Sequence, residues 1–186
     1  MPASTSLGIT YPCSGETIDS GVFQAYVETT QNAISAVQTV ADDALYPPAV
    51  QARRINNQQN INAGVSTQIT WDVEPYDTDA MFVLGTGTIT IQTAGTYLVC
   101  VQAKNSNQPA DFTSIRVAIL INAVEVAAAK SDAGNVVNTV SDRVGTSVLG
   151  TALAVGTTIT ANFLYTGAAS PMGVDGTLSV IRVATV

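Results

Sequence analysis

The sequence predicts a mainly β protein, an antiparallel sandwich or barrel preceded by an extended arm and one helix. Over the last two-thirds of the chain, short runs of alternating β-branched and polar residues recur with Gly, Asn or Pro between them. Alternate side chains on a strand face opposite sides, and residues branched at Cβ suit a pleated, half-buried surface. No helix-period pattern interrupts these runs, which argues against a parallel α/β sheet with crossover helices. Ahead of them, one stretch ending at Pro47-Pro48 carries apolar residues three and four apart.

Residues 1 to 15 are small and polar with scattered apolar positions, and Tyr11-Pro12 restrains the backbone before Ser14-Gly15, as in an extended arm. From about Asp19 the pattern is helical: Ile18, Val22, Tyr26, Ala33, Val37, Val40 and Ala44 share a face, with Thr30 filling the gap. Thr17 or Asp19 can cap its start, and Pro47-Pro48 ends it because proline has no N–H to donate. Such a helix is about 40 Å long at 1.5 Å per residue, and alone it is marginal. It is open to packing on its own β-domain, on copies of itself or on a larger assembly. Ile18, Val22, Tyr26, Val37 and Val40 are the candidate docking positions, and residues 1–48 form the docking segment.

Residues 49–62, with Arg53-Arg54 and the Asn-Gln run from Asn56 to Asn60, read as a polar linker, and residues 63–186 as the β head. Within the head, strands are expected at Trp71 to Tyr76, Gly87 to Gln92, Gly95 to Ala103, Ser114 to Ile121, Val144 to Leu149, Thr157 to Tyr165 and Gly176 to Val183. Asp175, between glycines, reads as a turn residue. Trp71, Tyr76, Tyr97, Phe163 and Tyr165 are the aromatics expected in the head core or at a subunit interface.

Composition narrows the function. Charged residues make up 11% of the chain, against about 25% in typical soluble domains. Much of the surface must then be Thr, Ser, Asn and Gln, or be covered by other subunits. The 46% apolar content excludes a disordered chain, and no run approaches the roughly 20 apolar residues that cross a bilayer. The net charge of −7 argues against nucleic acid. Residues 1 to 50 hold Glu16, Asp19, Glu28, Asp42 and Asp43 and no Lys or Arg, a solvated face or a dock for a basic surface. Cys13 and Cys100 match no metal or redox spacing, and Cys100 reads as a small buried hydrophobe. The opening Met-Pro-Ala-Ser-Thr lacks the features of a secretory signal, so synthesis in the cytoplasm without export by that route is expected.

The sequence offers little to catalysis. It contains no histidine, the usual general base and commonest metal ligand, and no nucleophile elbow, phosphate loop or dinucleotide fingerprint. Catalytic residues and cofactors are therefore expected to be none. Asp72, Glu74, Asp77 and Asp79 cluster in sequence and are the candidate ligands for calcium. They lack calcium-loop spacing, and a solvated acidic turn is the simpler reading.

From about Ala63 onward, the order of landmarks resembles the jelly roll of complement globular heads and tumour necrosis factor-type ligands. The likeness rests on Trp71 ahead of Tyr76-Asp77-Thr78, and on Thr88-Ile89-Thr90-Ile91 followed by Ala94-Gly95-Thr96-Tyr97-Leu98-Val99. It continues through Ile119-Leu120-Ile121-Asn122, Leu153-Ala154-Val155-Gly156 and the closing Leu178-Ser179-Val180-Ile181-Arg182-Val183. Two departures fall in turns: Ala123 stands where the family has Gly, and Thr157 where it has Asp. The resemblance implies a homotrimer packed about a threefold axis through apolar and aromatic faces. The N-terminal segment, through Tyr11-Pro12-Cys13-Ser14-Gly15, the helix to Ala44 and Pro47-Pro48, resembles small structural proteins of tailed bacteriophages, particularly minor tail proteins of phages infecting actinobacteria. This implies a virion protein made in the host cytoplasm, anchored to other virion proteins by its N-terminal segment and offering its head for assembly or host-surface contact. A trimeric capsid decoration protein is the alternative, and a soluble bacterial module binding glycan or protein a further one.

Overall fold

The computed structural model describes residues 3–4, 10–11, 20–107, 112–132, 143–167 and 171–185. The chain divides into two units, Met1–Leu45 and Tyr46–Val186. In the first, β1 (Ala3–Ser4) and β2 (Thr10–Tyr11) pair antiparallel, and α1 spans Ser20–Leu45. The helix stops just ahead of the two prolines, as expected. Thr29 and Thr30 donate their hydroxyls to the carbonyls of Ala25 and Tyr26 at 2.7 and 2.9 Å, so two polar side chains are satisfied within the helix itself. Tyr26 is half-buried and Val37 is exposed. Ile18 lies outside the described residues, as do Cys13 and the side chains of Val22 and Val40.

The second unit is a sandwich of two sheets. Its strands are β3 (Ala49–Ile61), β4 (Thr67–Gln68), β5 (Val73–Asp77), β6 (Thr88–Thr90), β7 (Gly95–Asn107), β8 (Phe112–Ile121), β9 (Val124–Asp132), β10 (Arg143–Leu153), β11 (Thr158–Gly167) and β12 (Met172–Ala184). One sheet runs β10-β7-β12-β3-β5; the other runs β4-β11-β8-β9, with β6 also on β11. Every pairing is antiparallel. The inner faces meet in a core that takes Tyr97, Val99, Val101, Leu178, Val180, Val50 and Ala52 from the first sheet, and Ile115, Val117, Ile119, Ile159, Phe163 and Tyr165 from the second. Along β11, buried and half-buried residues alternate from Thr158 to Tyr165, the period of two that the sequence displays. Trp71, Met81 and Phe82, on and between short elements, add to the same core.

The motif Ala94-Gly95-Thr96-Tyr97 now has a physical reason. The Tyr97 hydroxyl donates back to the Thr93 carbonyl at 2.6 Å, which satisfies the polar end of a fully buried ring. A Cβ at Gly95 would stand 2.8 Å from the Ala184 carbonyl oxygen and 2.5 Å from Arg182 Cδ, so the close approach of β7 to β12 excludes a side chain there.

The polar linker expected at residues 49–62 is instead the long strand β3, held between β12 and β5. Its apolar positions are sparse, with Val50, Ala52 and Ile61 buried and Ile55 exposed. Its polar side chains bind neighbouring backbone. Arg54 donates to the Thr70 carbonyl and hydroxyl at 2.6 and 2.7 Å, and Gln59 donates to the Gln68 carbonyl at 2.8 Å while accepting from the Thr70 N–H at 2.9 Å. A chain that starts at Tyr46 is therefore expected to fold, whereas one that starts at Ala63 loses an interior strand and is expected to show no cooperative melt by circular dichroism.

Two further expectations need correction. Asp175 is not in a turn but within β12, where its carboxylate lies 3.6 Å from Lys104 Nζ. Trp71 precedes β5 rather than lying in it, tied by its N–H to the Thr86 carbonyl at 2.8 Å. The strand β9 has no counterpart in the expected set, because Ala127-Ala128-Ala129 carries no strand signature. It hairpins onto β8 through Asn122 and Ala123, with φ of 48° and 65°. Both residues sit in the left-handed region that two-residue hairpin turns require, which alanine occupies at a cost of about 1–2 kcal/mol. Ala123→Gly is expected to raise the urea midpoint, by about 0.5–1 kcal/mol of stability once the extra freedom of the unfolded glycine is counted.

Candidate functional site

The outer faces of the two sheets differ in chemistry. On the first sheet, the pairing aligns Leu149, Leu98, Ile181 and Ala49 in one row across β10, β7, β12 and β3. The next row is Ser147, Cys100, Ser179, Gln51 and Tyr76, reaching β5. Their neighbours along β7 are the buried Tyr97, Val99 and Val101, so the alternation points these rows away from the core. Neither row contains a charged residue. Leu149 is 66% exposed and Tyr76 39%, while Leu98, Cys100 and Ile181 are half-buried. Charges enter beyond, at Glu74 two residues from Tyr76 on β5, at Arg53 beside Thr177 and at Arg143, Lys104 and Asp175.

The outer face of the second sheet is mixed: it carries ion pairs and polar side chains, with Leu120 and Leu164 half-buried among them. There Thr160, Asn162 and Thr158 alternate with buried residues on β11, and ion pairs join Arg116 to Glu125 and Lys130 to Asp132, the latter at 2.7 Å. Such pairs on an exposed face contribute little to stability, but they keep it hydrated. Two adjoining uncharged rows on one side of the sandwich, against a side that carries ion pairs, mark those rows as the surface fit to be covered.

The aromatics expected in the core or at an interface divide accordingly. Trp71, Tyr97, Phe163 and Tyr165 are fully buried within the subunit. Burial raises the Tyr165 phenol above its ordinary 10.0, opposed by a hydrogen bond with the Ala63 backbone. Tyr76 alone of the five is exposed, at the end of the uncharged row.

The calcium candidates do not converge. Among the described residues no group of three or more acidic, Cys or His side chains is placed to hold a metal ion. Asp77 accepts the N–H groups of Asp79 and Phe82 at 3.1 and 2.8 Å, Asp72 accepts that of Ile55 at 3.0 Å, and Glu74 is exposed. Backbone donors therefore occupy the carboxylates of Asp72 and Asp77, the latter shaping the turn after β5, while Asp79 Oδ2 is buried with no hydrogen-bond partner. Cys100 is a free thiol, half-buried on the outer face rather than in the core where the sequence placed it.

Two five-stranded antiparallel sheets in this order define a jelly-roll sandwich, and comparison with solved structures says which kind. The globular domain of zebrafish complement 1qA protein superposes with a TM-score of 0.54 at 16% identity, over 75% of this chain and 99% of that one. An Eiger tumour necrosis factor from S. frugiperda superposes with a TM-score of 0.51 at 14% identity, over 75% of this chain and 95% of that one. The fold is thus the complement and tumour necrosis factor type of jelly roll. No protein-family model matches the sequence, and no curated protein does. At these identities the likeness establishes the fold alone.

Proposed function

We propose that this is a non-enzymatic structural protein of a tailed-bacteriophage virion, a trimeric minor tail protein anchored by residues 1–48, whose heads associate through the outer face of the first sheet. The observation that carries the trimer is the pair of uncharged rows, from Leu149 to Ala49 and from Ser147 to Tyr76, set opposite a hydrated face. Leu98, Ile181 and Leu149 supply apolar area, and Ser147, Ser179 and Gln51 supply groups that hydrogen-bond across a symmetric contact. The virion assignment rests on the resemblance of the N-terminal segment, and the non-enzymatic reading on a sequence without histidine or a recognisable nucleophile.

Size-exclusion chromatography with light scattering tests the assembly. The expected species has three times the 19.2 kDa chain mass; a stable single-chain species at micromolar concentration overturns the reading. Imaging of an intact particle decides the location, with density at the tail tip expected and density on threefold positions of the shell favouring a capsid decoration role instead. Release from any particle, with glycan or protein binding by the free head, would make it a soluble recognition module.

A further inference from the structure

Beyond the uncharged rows, the outer face of the first sheet has an open hollow of about 150 Å³ lined by Ile55, Gln102, Lys104, Arg143, Asp175 and Thr177, together with Gly176. We propose that this hollow binds a monosaccharide that bears a carboxylate, of the hexuronic or sialic acid class. The inference is independent of the trimer and of the virion assignment.

The first argument is charge. On a chain of net charge −7, this hollow presents two cations against one carboxylate. Lys104 meets Asp175 at 3.6 Å, a distance that leaves its other donors available. Arg143 enters no ion pair among the described residues, and its planar fork suits bidentate contact with a carboxylate. The second argument is shape. A Cβ at Gly176 would stand 2.6 Å from the Gln102 carbonyl oxygen, so β12 runs too close to β7 for a side chain there and this part of the lining is bare backbone.

The third argument is the mixture of groups. The Gln102 amide, the Thr177 hydroxyl and the Asp175 carboxylate can bond sugar hydroxyls, while the exposed Ile55 offers an apolar wall to a ring face. Ligand pockets for drug-sized molecules run from about 300 Å³ upward, so this open hollow takes a single hexuronate ring, or the carboxylate end of a sialic acid with its side arms in solvent. An extended acidic peptide adds to a sheet edge, whereas the hollow opens on a face that spans β10, β7 and β12.

The test is an amide chemical-shift titration of the full chain with glucuronate and N-acetylneuraminate at low ionic strength. N-acetylglucosamine, acetate and a tetraglutamate peptide are the comparison ligands. Saturable shifts confined to residues 102–104, 143–145 and 175–177 are expected for one or both sugar acids, with a dissociation constant on the order of a millimolar. Arg143→Gln should weaken binding about tenfold while leaving the melting curve unchanged, and Asp175→Asn should tighten it. Equal shifts with the neutral sugar, with acetate or with the peptide overturn the proposal, as does binding insensitive to Arg143→Gln. Binding seen only when an Ile181→Asp variant is dissociated also overturns it, because the hollow would then belong to the subunit contact.

Discussion

Ile181→Asp is expected to convert the proposed trimer to single chains of 19.2 kDa in light scattering while the head stays folded. Ile181 lies in the middle of the uncharged row, paired to Leu98 on one side and Ala49 on the other. In a lone subunit the new carboxylate stands at a half-exposed position on the outer face and can keep most of its water, so the intramolecular cost is small. In an assembly that covers the row, it becomes a buried charge with no cationic partner in its own row or the next. An unpaired buried charge costs several kcal/mol, and it is repeated in every copy, enough to move the association midpoint by orders of magnitude. Thr160→Asp, on the hydrated face of the second sheet, is the control and should leave the mass unchanged. Cys100, in the adjoining row, gives a second readout: its thiol should react slowly with an alkylating agent in the assembled protein and faster in the Ile181→Asp variant. A trimer that tolerates Ile181→Asp would show that the subunits meet elsewhere.

Trp71→Ala should produce the largest loss of folding stability. The indole is fully buried, and it belongs to the same core as Met81, Phe82 and Ile89. Truncation of a large aromatic in a packed core costs about 3–5 kcal/mol, a large share of the roughly 5–15 kcal/mol that holds a domain folded. The urea midpoint followed by far-ultraviolet circular dichroism should fall accordingly, while Trp71→Phe, which leaves a smaller gap, should fall less. The choice of probe matters because Trp71 is the sole tryptophan, so its fluorescence vanishes with the substitution. A loss below about 1 kcal/mol would be that of a surface site and would contradict the placement of this side chain in the core.

The two sites differ in how visible they were in the sequence. Trp71, Tyr76, Tyr97, Phe163 and Tyr165 could be assigned from their strand-period runs to the core or an interface, and the structure puts all but Tyr76 in the core. The strand β3 could not, since among its described side chains Val50, Ala52 and Ile61 are the buried apolar ones, over a stretch otherwise rich in Arg, Asn and Gln. Its place is secured by backbone pairing on both sides and by Arg54 and Gln59 reaching the backbone of residues 68 and 70. None of these contacts leaves a local pattern. The same holds for the uncharged rows, because Leu98, Ile181, Leu149 and Ala49 are far apart in the chain and become neighbours only through register. Asp175 showed the opposite failure: flanking glycines suggested a turn, where one of them in fact allows β12 to lie close to β7.

By itself the sequence determined the class of fold, the single helix and its proline stop, and most strands of the sandwich, because these follow from side-chain periodicity and from residues that break it. The tertiary structure decided which rows are free of charge, that residues 49–61 belong to a sheet, that backbone donors occupy the carboxylates of Asp72 and Asp77, and where a hollow opens. Those depend on which strand lies beside which and in what register. That choice is made by the sum of many long-range contacts, none of which is written in any one segment.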